Sequence, residues 1–504
     1  MRSRFLTSFQ KKGTARTSNG LVKVHPPLSI IPPIERLPVE ILAEIFILCI
    51  SHIDYPPLNS RSAEPPISLC CVCKSWQKVA CGLPRLWTAA FVCTEGINLE
   101  VRKELPHLLN RWFSRSNQLP LSFKITSENH RDDKMMKTFT ACVTPFAYRF
   151  RHLDVDFFNF VCSIPTDLQL SASLPAQTQL TYPDISWSTL RFLQLESAII
   201  RDNIDVYGDL ETPLFPFAPC LQRLRMDNLS FIGGTPLQLV LPWSQLTHLI
   251  LISLIESHLW LQLFPMCPTL QHGFFDVYED FTPTPSSVER ATFHNLIDLT
   301  LSFSDPINPS ILGHFDFPAL KTLRLQNEGI ISSDGGDDMF WTATTRSRLC
   351  QQLATLERLS LSGTWPFVCI FEAAAHVVEL DLDHIEVFEA VHSSLLRLSY
   401  GYSLLPNLRV LSMNIDRDSE LQTDVLADII KSRRCVERGI EKLTLYPWDG
   451  SDTHKYVKRL TGKLQPLIDA GFILEICDTT PRHWYRRLDP TVTAWREGII
   501  DIWG

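Results

Sequence analysis

Cysteine and glycine are both scarce in this chain, and each scarcity closes off a class of protein. Fourteen cysteines in 504 residues fall far below the density of a small secreted fold stapled by disulfides. Twenty glycines leave little material for phosphate-cradling loops, and neither Gly-x-x-x-x-Gly-Lys nor Gly-x-Gly-x-x-Gly occurs. The Gly-x-Ser-x-Gly elbow and His-Glu-x-x-His are absent as well, which removes common marks of an enzyme and argues for a non-catalytic role. No long apolar run is present. The most apolar window, Leu237 to Ile255, is broken by Gln238, Pro242, Gln245 and His248, so no membrane span is expected. The N-terminus lacks the apolar core of a signal peptide. The expectation is a soluble protein of the cytoplasm or nucleus whose thiols stay reduced.

Acidic residues are missing from one place only. Residues 1–34 carry Arg2, Arg4, Lys11, Lys12, Arg16 and Lys23 and no Asp or Glu, which leaves 41 basic against 55 acidic residues on the rest, a net of −14. A body this acidic is a poor match for a phosphate backbone, so nucleic acid is not expected as a partner. Residues 1–33 read as a disordered basic tail, although a transit peptide or nuclear address shares this composition. At 45% hydrophobic residues the remainder has material for a large core.

The first ordered unit is expected over residues 34–92. Ile41, Leu42, Ile45, Phe46 and Leu48 recur at helical spacing, and Pro38 sits where a first-turn proline is tolerated. A proline-rich insertion, Asp54 to Pro66, separates this helix from a second over Ile67 to Val79, with Val72, Cys73, Trp76 and Val79 on one face; Leu83-Pro84-Arg85-Leu86-Trp87 follows. Three short helices make a small core, and such a unit leaves an apolar face for a partner. The motifs Leu37-Pro38-x-Glu40-Ile41, Val72-Cys73-x-x-Trp76 and Pro84-x-Leu86-Trp87 together resemble an F-box, in the variants abundant in mushroom-forming fungi. The long insertion departs from the commonest form, and the resemblance covers about residues 32 to 92, a minority of the chain. It implies docking onto a Skp-type adaptor, and through it onto a cullin-based ubiquitin ligase. The contact residues so implied are Leu37, Pro38, Ile41, Leu42, Ile45, Val72, Trp76, Leu86 and Trp87.

The rest of the chain repeats one phrase, apolar-x-x-Leu-x-apolar. It occurs at Phe150-Leu153-Val155, Leu190-Leu193-Leu195, Leu221-Leu224-Met226, Leu246-Leu249-Leu251, Leu296-Leu299-Leu301 and Leu320-Leu323-Leu325. It continues at Leu356-Leu359-Leu361, Val377-Leu380-Leu382, Leu408-Leu411-Met413 and Ile440-Leu443-Leu445, with Leu270 to Phe275 a degraded copy and Leu395-Leu398-Tyr400 a further candidate. The last two apolar positions, two apart, point to one side of a short strand. One such unit cannot bury that side, and stacked units bury each other's. Pro219, Pro268, Pro318 and Pro406 stand two residues before the first leucine, where proline ends a helix and starts an extended segment. The expected fold is α/β: a small three-helix F-box, a helical linker over 93–118, and an irregular leucine-rich-repeat solenoid with a curved parallel sheet over 119–480. Leu121-Phe123-Ile125 and the helical stretch to Tyr148 form a starter unit, and residues 481–504, with Trp484, Tyr485, Trp495 and Trp503, form a cap. The asparagine of the tidy repeat is missing, so each bend needs its own solution.

Cofactors and metals are not expected. Cys70 and Cys73 have one Cys-x-x-Cys spacing, but Cys49, His52 and Cys81 supply no second pair for zinc, and Asp334-Gly-Gly-Asp-Asp lacks the alternating oxygen ligands of a calcium loop. Recognition is expected on the open sheet face, at residues flanking the inward leucines: Arg223, Arg225, Arg324, Arg358, Glu379, Asp381 and Asp383. Arg324 is expected to be dispensable for stability and Leu323 is not. Three close carboxylates, Glu379, Asp381 and Asp383, are expected to attract a basic segment of a protein substrate. The combined reading is a substrate-recruiting ligase subunit; the alternative is a repeat scaffold that joins no ligase.

Overall fold

A computed structural model describes residues 33–50, 65–93, 99–126, 144–156, 192–201, 217–227, 241–278, 290–303, 309–327, 343–363, 365, 367–383, 404–415, 420–434, 439–447 and 453–477. The basic tail, most of the proline-rich insertion, the Asp334 loop, the Leu395 copy and the C-terminal aromatic segment lie outside the described residues.

The protein is mixed α/β, built on one parallel sheet of fourteen strands. They are β1 (Ala89–Cys93), β2 (Leu121–Thr126), β3 (Phe150–Asp156), β4 (Ser197–Arg201), β5 (Arg223–Asp227), β6 (His248–Glu256), β7 (His272–Tyr278), β9 (Asp298–Phe303), β11 (Thr322–Asn327), β12 (Arg358–Ser362), β13 (Glu379–Asp383), β14 (Val410–Ile415), β15 (Lys442–Pro447) and β16 (Ile473–Ile476). Each pairs with the next in chain order, while β8 (Ala291–Thr292) and β10 (Phe315–Asp316) form a separate two-stranded ladder.

The register follows the repeated phrase. Leu299, Leu323, Leu359, Leu380, Leu411, Leu443 and Leu474 stand side by side across seven strands. All but Leu474, which is half-buried against them, are buried in one continuous core that runs from Leu42 to Phe472. Helices Ser257–Leu263, Ala343–Leu353, Phe367–Ala373, Glu420–Arg434 and Thr453–Asp469 contribute Trp260, Leu353, Phe371, Ile430 and Leu464 to that same side. The opposite face carries the alternate residues of each strand.

Eight strands, β4 to β7 and β11 to β14, are entered through the same turn. The amide of the first leucine donates to the carbonyl three residues back: Leu221 to Ala218, Leu270 to Cys267, Leu320 to Phe317, Leu408 to Leu405. Pro219, Pro268, Pro318 and Pro406 therefore occupy the second position of a tight turn, where a fixed φ near −65° is already correct and no amide is needed. After the turn, successive copies join by backbone bonds, from Thr247 to Gln222, Gln271 to Thr247, Ile297 to Gln271, Lys321 to Ile297 and onward to Ile473 and Glu441. Side chains that differ from copy to copy hold the remaining bend carbonyls: Gln245 on Ala218 and Leu221, Gln352 on Leu312 and Phe315, Asn407 on Ala375, and Arg433 on Leu404 and Leu405. These replace the missing asparagine series.

Three expectations need correction. The copy expected at Leu190-Leu193-Leu195 is shifted: Leu193 is exposed, the turn closes from Leu195 to Phe192, and Ala198 is the position that aligns with Leu153 and Leu224. An alanine at the strand's inward position hid the copy, and leucines in the turn imitated one. The helix expected over Ile67–Val79 is two, Ile67–Val72 and Lys74–Cys81, broken at Cys73 (φ −156°, ψ 169°), whose Sγ accepts the Trp76 amide at 3.4 Å. The sheet also begins earlier than residue 119, at Ala89, directly behind Trp87.

Candidate functional site

The N-terminal helices divide their apolar residues between two sides. Helix Val39–Ile50 buries Leu42, Phe46 and Ile50, one turn apart. Its other side leaves Val39, Ile41 (50% exposed) and Leu48 (63% exposed) in water. Leu37 and Pro38, just ahead of it, are exposed, and Ile45 is half-buried. Helix Ile67–Val72 buries only Leu69 and exposes Ile67 and Val72, the latter to 60%. Trp76 is half-buried, its ring 4.9 Å from Phe46.

Of the nine adaptor-contact residues expected, Leu42, Leu86 and Trp87 lie in the interior instead. Trp87 donates through Nε1 to the Ala80 carbonyl at 2.9 Å and meets Trp112 edge-on at 4.8 Å. Trp112 in turn donates to the carbonyl of Ala89, the first residue of β1, at 2.8 Å. These aromatics weld the helical unit to the first edge of the sheet, and their polar atoms are satisfied in doing so. Leu37, Pro38, Ile41, Ile45, Val72 and Trp76 retain access to solvent.

On the open face, most of the expected arginines have a carboxylate partner, on the same strand or the next one. Arg225 pairs with Asp227 at 2.7 Å, Arg324 with Asp298 at 2.6 Å and Arg358 with Glu379 at 3.1 Å. Asp381 accepts from the Ser360 hydroxyl at 3.4 Å, and the side chain of Asp383 lies outside the described residues. The acidic trio expected to attract a basic segment is thus partly answered by Arg358 and Ser360 of the neighbouring strand. Arg324 is buried together with its carboxylate, so it is not the dispensable surface residue expected.

The register extends the row of Arg358 and Glu379 through Thr322 to a set of residues of which only Arg223 was expected at the site. His152, Ser197, Arg223, His248, His272 and Asp298 occupy equivalent positions on β3, β4, β5, β6, β7 and β9. His248 and His272 stack, with ring centroids 4.5 Å apart. Burial pushes His152 down to about 3, helped by Arg151 and Arg223, and pushes His248 to about 3, helped by His272 and Arg223. Burial also lowers His272, against the pull of Asp298. The Nδ1 of His152 lies 2.6 Å from the Ser197 hydroxyl, but an imidazole this weakly basic is a poor general base. Beside this row, Ile199, Ile250 and Phe274 form a small apolar cluster away from the main core. The signal was there in principle: each of these residues stands one before or one after an inward position, but only the register places them together.

Cys70 is raised to about 12, first by burial and then by the adjacent Cys81, and burial alone raises Cys267 to about 12; neither is primed as a thiolate nucleophile. Among the described residues no group of three His, Cys, Asp or Glu is placed to hold a metal ion, and no helix is long and apolar enough to cross a membrane. Comparison with protein-family models and with curated proteins finds no match to this chain.

Proposed function

We propose that this protein is a substrate-recruiting subunit of a cullin-type ubiquitin ligase: an F-box docks it onto a Skp-type adaptor, and a leucine-rich-repeat solenoid holds a protein substrate. The observation that carries the reading is the exposure of Ile41 and Leu48 on one helix and of Val72 on the next, while the other sides of these helices are committed to the core. Large side chains exposed together on a short helical unit mark a protein contact. The solenoid reading is supported by fourteen strands paired in chain order and by the turn that recurs before eight of them. Such a subunit carries out no bond-making itself; it raises the effective concentration of substrate lysines near a conjugating enzyme.

The test is co-expression of the full chain with a fungal Skp-type adaptor, followed by co-purification. The wild type should retain the adaptor, and Leu48→Glu with Val72→Glu should release it while the melting temperature holds, because both residues are exposed. A folded wild-type chain that captures no adaptor sinks the ligase reading and favours a repeat scaffold.

A further inference from the structure

Of the four arginines expected on the open face, Arg225, Arg324 and Arg358 each have a carboxylate of their own. Arg223 does not: among the described residues its guanidinium makes no hydrogen bond or ion pair. The carboxylates of the flanking strands and bends are engaged elsewhere, Glu196 with Arg151 at 2.8 Å, Asp154 with Lys124 at 3.5 Å, Asp227 with Arg225 and Asp298 with Arg324. Arg223 is half-buried between Ser197 and His248, and it lies close enough to His152, His248 and His272 to help suppress their protonation. His152 is 4% exposed, and its Nε2 is buried without a partner. When the Ser197 hydroxyl donates to Nδ1, that Nε2 carries a proton and becomes a buried donor with no acceptor. A half-buried guanidinium with no acceptor of its own, beside two half-buried imidazoles, describes a place that an oxyanion completes.

We propose that Arg223, with the stacked His248 and His272 beside it, receives a carboxylate side chain of a recruited protein. A carboxylate fits better than a phosphate, because a single guanidinium among neutral imidazoles supplies one positive charge, and a phosphate dianion asks for two. The neighbouring Ile199, Ile250 and Phe274 are already withdrawn from water, so recognition at this spot is polar, and their low local dielectric strengthens it. This assignment rests on the proposal that the open face recruits a protein.

The experiment is selection of a random linear peptide library on the full-length chain, wild type against Arg223→Gln and Arg223→Glu. The wild type should enrich peptides with Asp or Glu at one fixed position. Arg223→Gln should lose that preference and bind the enriched peptide ~10–100-fold more weakly, the range expected for one hydrogen-bonded charge. Arg223→Glu should turn the selection toward Lys or Arg. The melting temperature of Arg223→Gln should not fall, since no intramolecular partner is lost. Several results overturn the site: no enrichment, enrichment without an acidic position, an acidic preference that survives Arg223→Gln, a lowered melting temperature in that variant, or tighter binding of a phosphoserine version of the peptide than of the glutamate one. Adaptor capture, measured on the same variants, separates the two ideas: its loss in the wild type removes the ligase reading and leaves the carboxylate site standing.

Discussion

Leu323 and Arg324 are neighbours in the chain, point to opposite faces of β11, and are both buried. Leu323→Ala leaves a void among ranked leucines that stacked strands cannot close, and should cost ~2–5 kcal/mol in denaturant unfolding. Arg324→Ala should cost about as much, ~3–5 kcal/mol, because it strands the buried Asp298 carboxylate without its cation. Arg324→Met combined with Asp298→Leu should recover most of that loss, and failure of the pair to recover would show that the arginine acts through something other than Asp298. Arg358→Ala breaks only an exposed pair and should stay within ~1 kcal/mol of wild type. The histidines set a pH dependence of definite sign. His152 and His248 bind protons more weakly when folded, at about 3 against the ordinary value of 6.5. The unfolded chain therefore holds more protons between those values. Their contribution to stability is complete above 6.5 and is lost progressively as pH falls toward 3. Melting temperature should decline across that window, and His152→Gln should flatten the decline; a slope unchanged by the substitution would place the titration elsewhere.

At the scale of the element, the shifted copy at β4 offers a direct check of register. Leu195 closes the entry turn and is buried, whereas Leu193, two residues earlier, is exposed. Leu195→Ala should cost ~2–5 kcal/mol, while Leu193→Ala should remain within ~0.5 kcal/mol. Equal effects would return the inward position to Leu193. The short helix Lys74–Cys81 depends on the Cys73 cap and on Trp76 against Phe46, so its exposed neighbour Val72 is free of structural duty. That separation is what makes Val72→Glu a clean probe of docking.

At the scale of the molecule, the two ends of the sheet differ. β1 is covered: Ala89, Ala90 and Val92 are buried, and Trp112 satisfies an edge carbonyl. β16 has no such cover among the described residues, with Ile473, Glu475 and Ile476 exposed. Strands that touch only their sequence neighbours unfold from open ends, since an end unit loses one interface and an inner unit two. Amide hydrogen exchange should therefore be fastest at β16 among the strands and slowest around β7 and β9, where Trp260, Phe264, Phe293 and Phe315 pack ring against ring. Uniform protection across the sheet would indicate a single cooperative unit.

The sequence by itself determined the strand count to within a few, most of the inward leucines and the prolines that announce four of the strands. These are local: a two-residue alternation and a turn with a fixed φ depend on a handful of consecutive residues. It also marked Leu37, Pro38, Ile41, Val72 and Trp76, whose spacing lies within short helices. Only the tertiary structure decided that Leu42, Leu86 and Trp87 are interior, because burial depends on what packs across from a helix, here Trp112 from beyond β1. It alone showed that Ala198 continues the leucine row, that Arg225, Arg324 and Arg358 are neutralised, and that Arg223 is not. Arg225 pairs locally with Asp227, but the pairs of Arg324 and Arg358 cross the sheet and join residues about twenty to thirty positions apart, and the intervening loops vary in length. No spacing rule along the chain can anticipate which arginine is left without a carboxylate; register does, and register is a property of the assembled sheet.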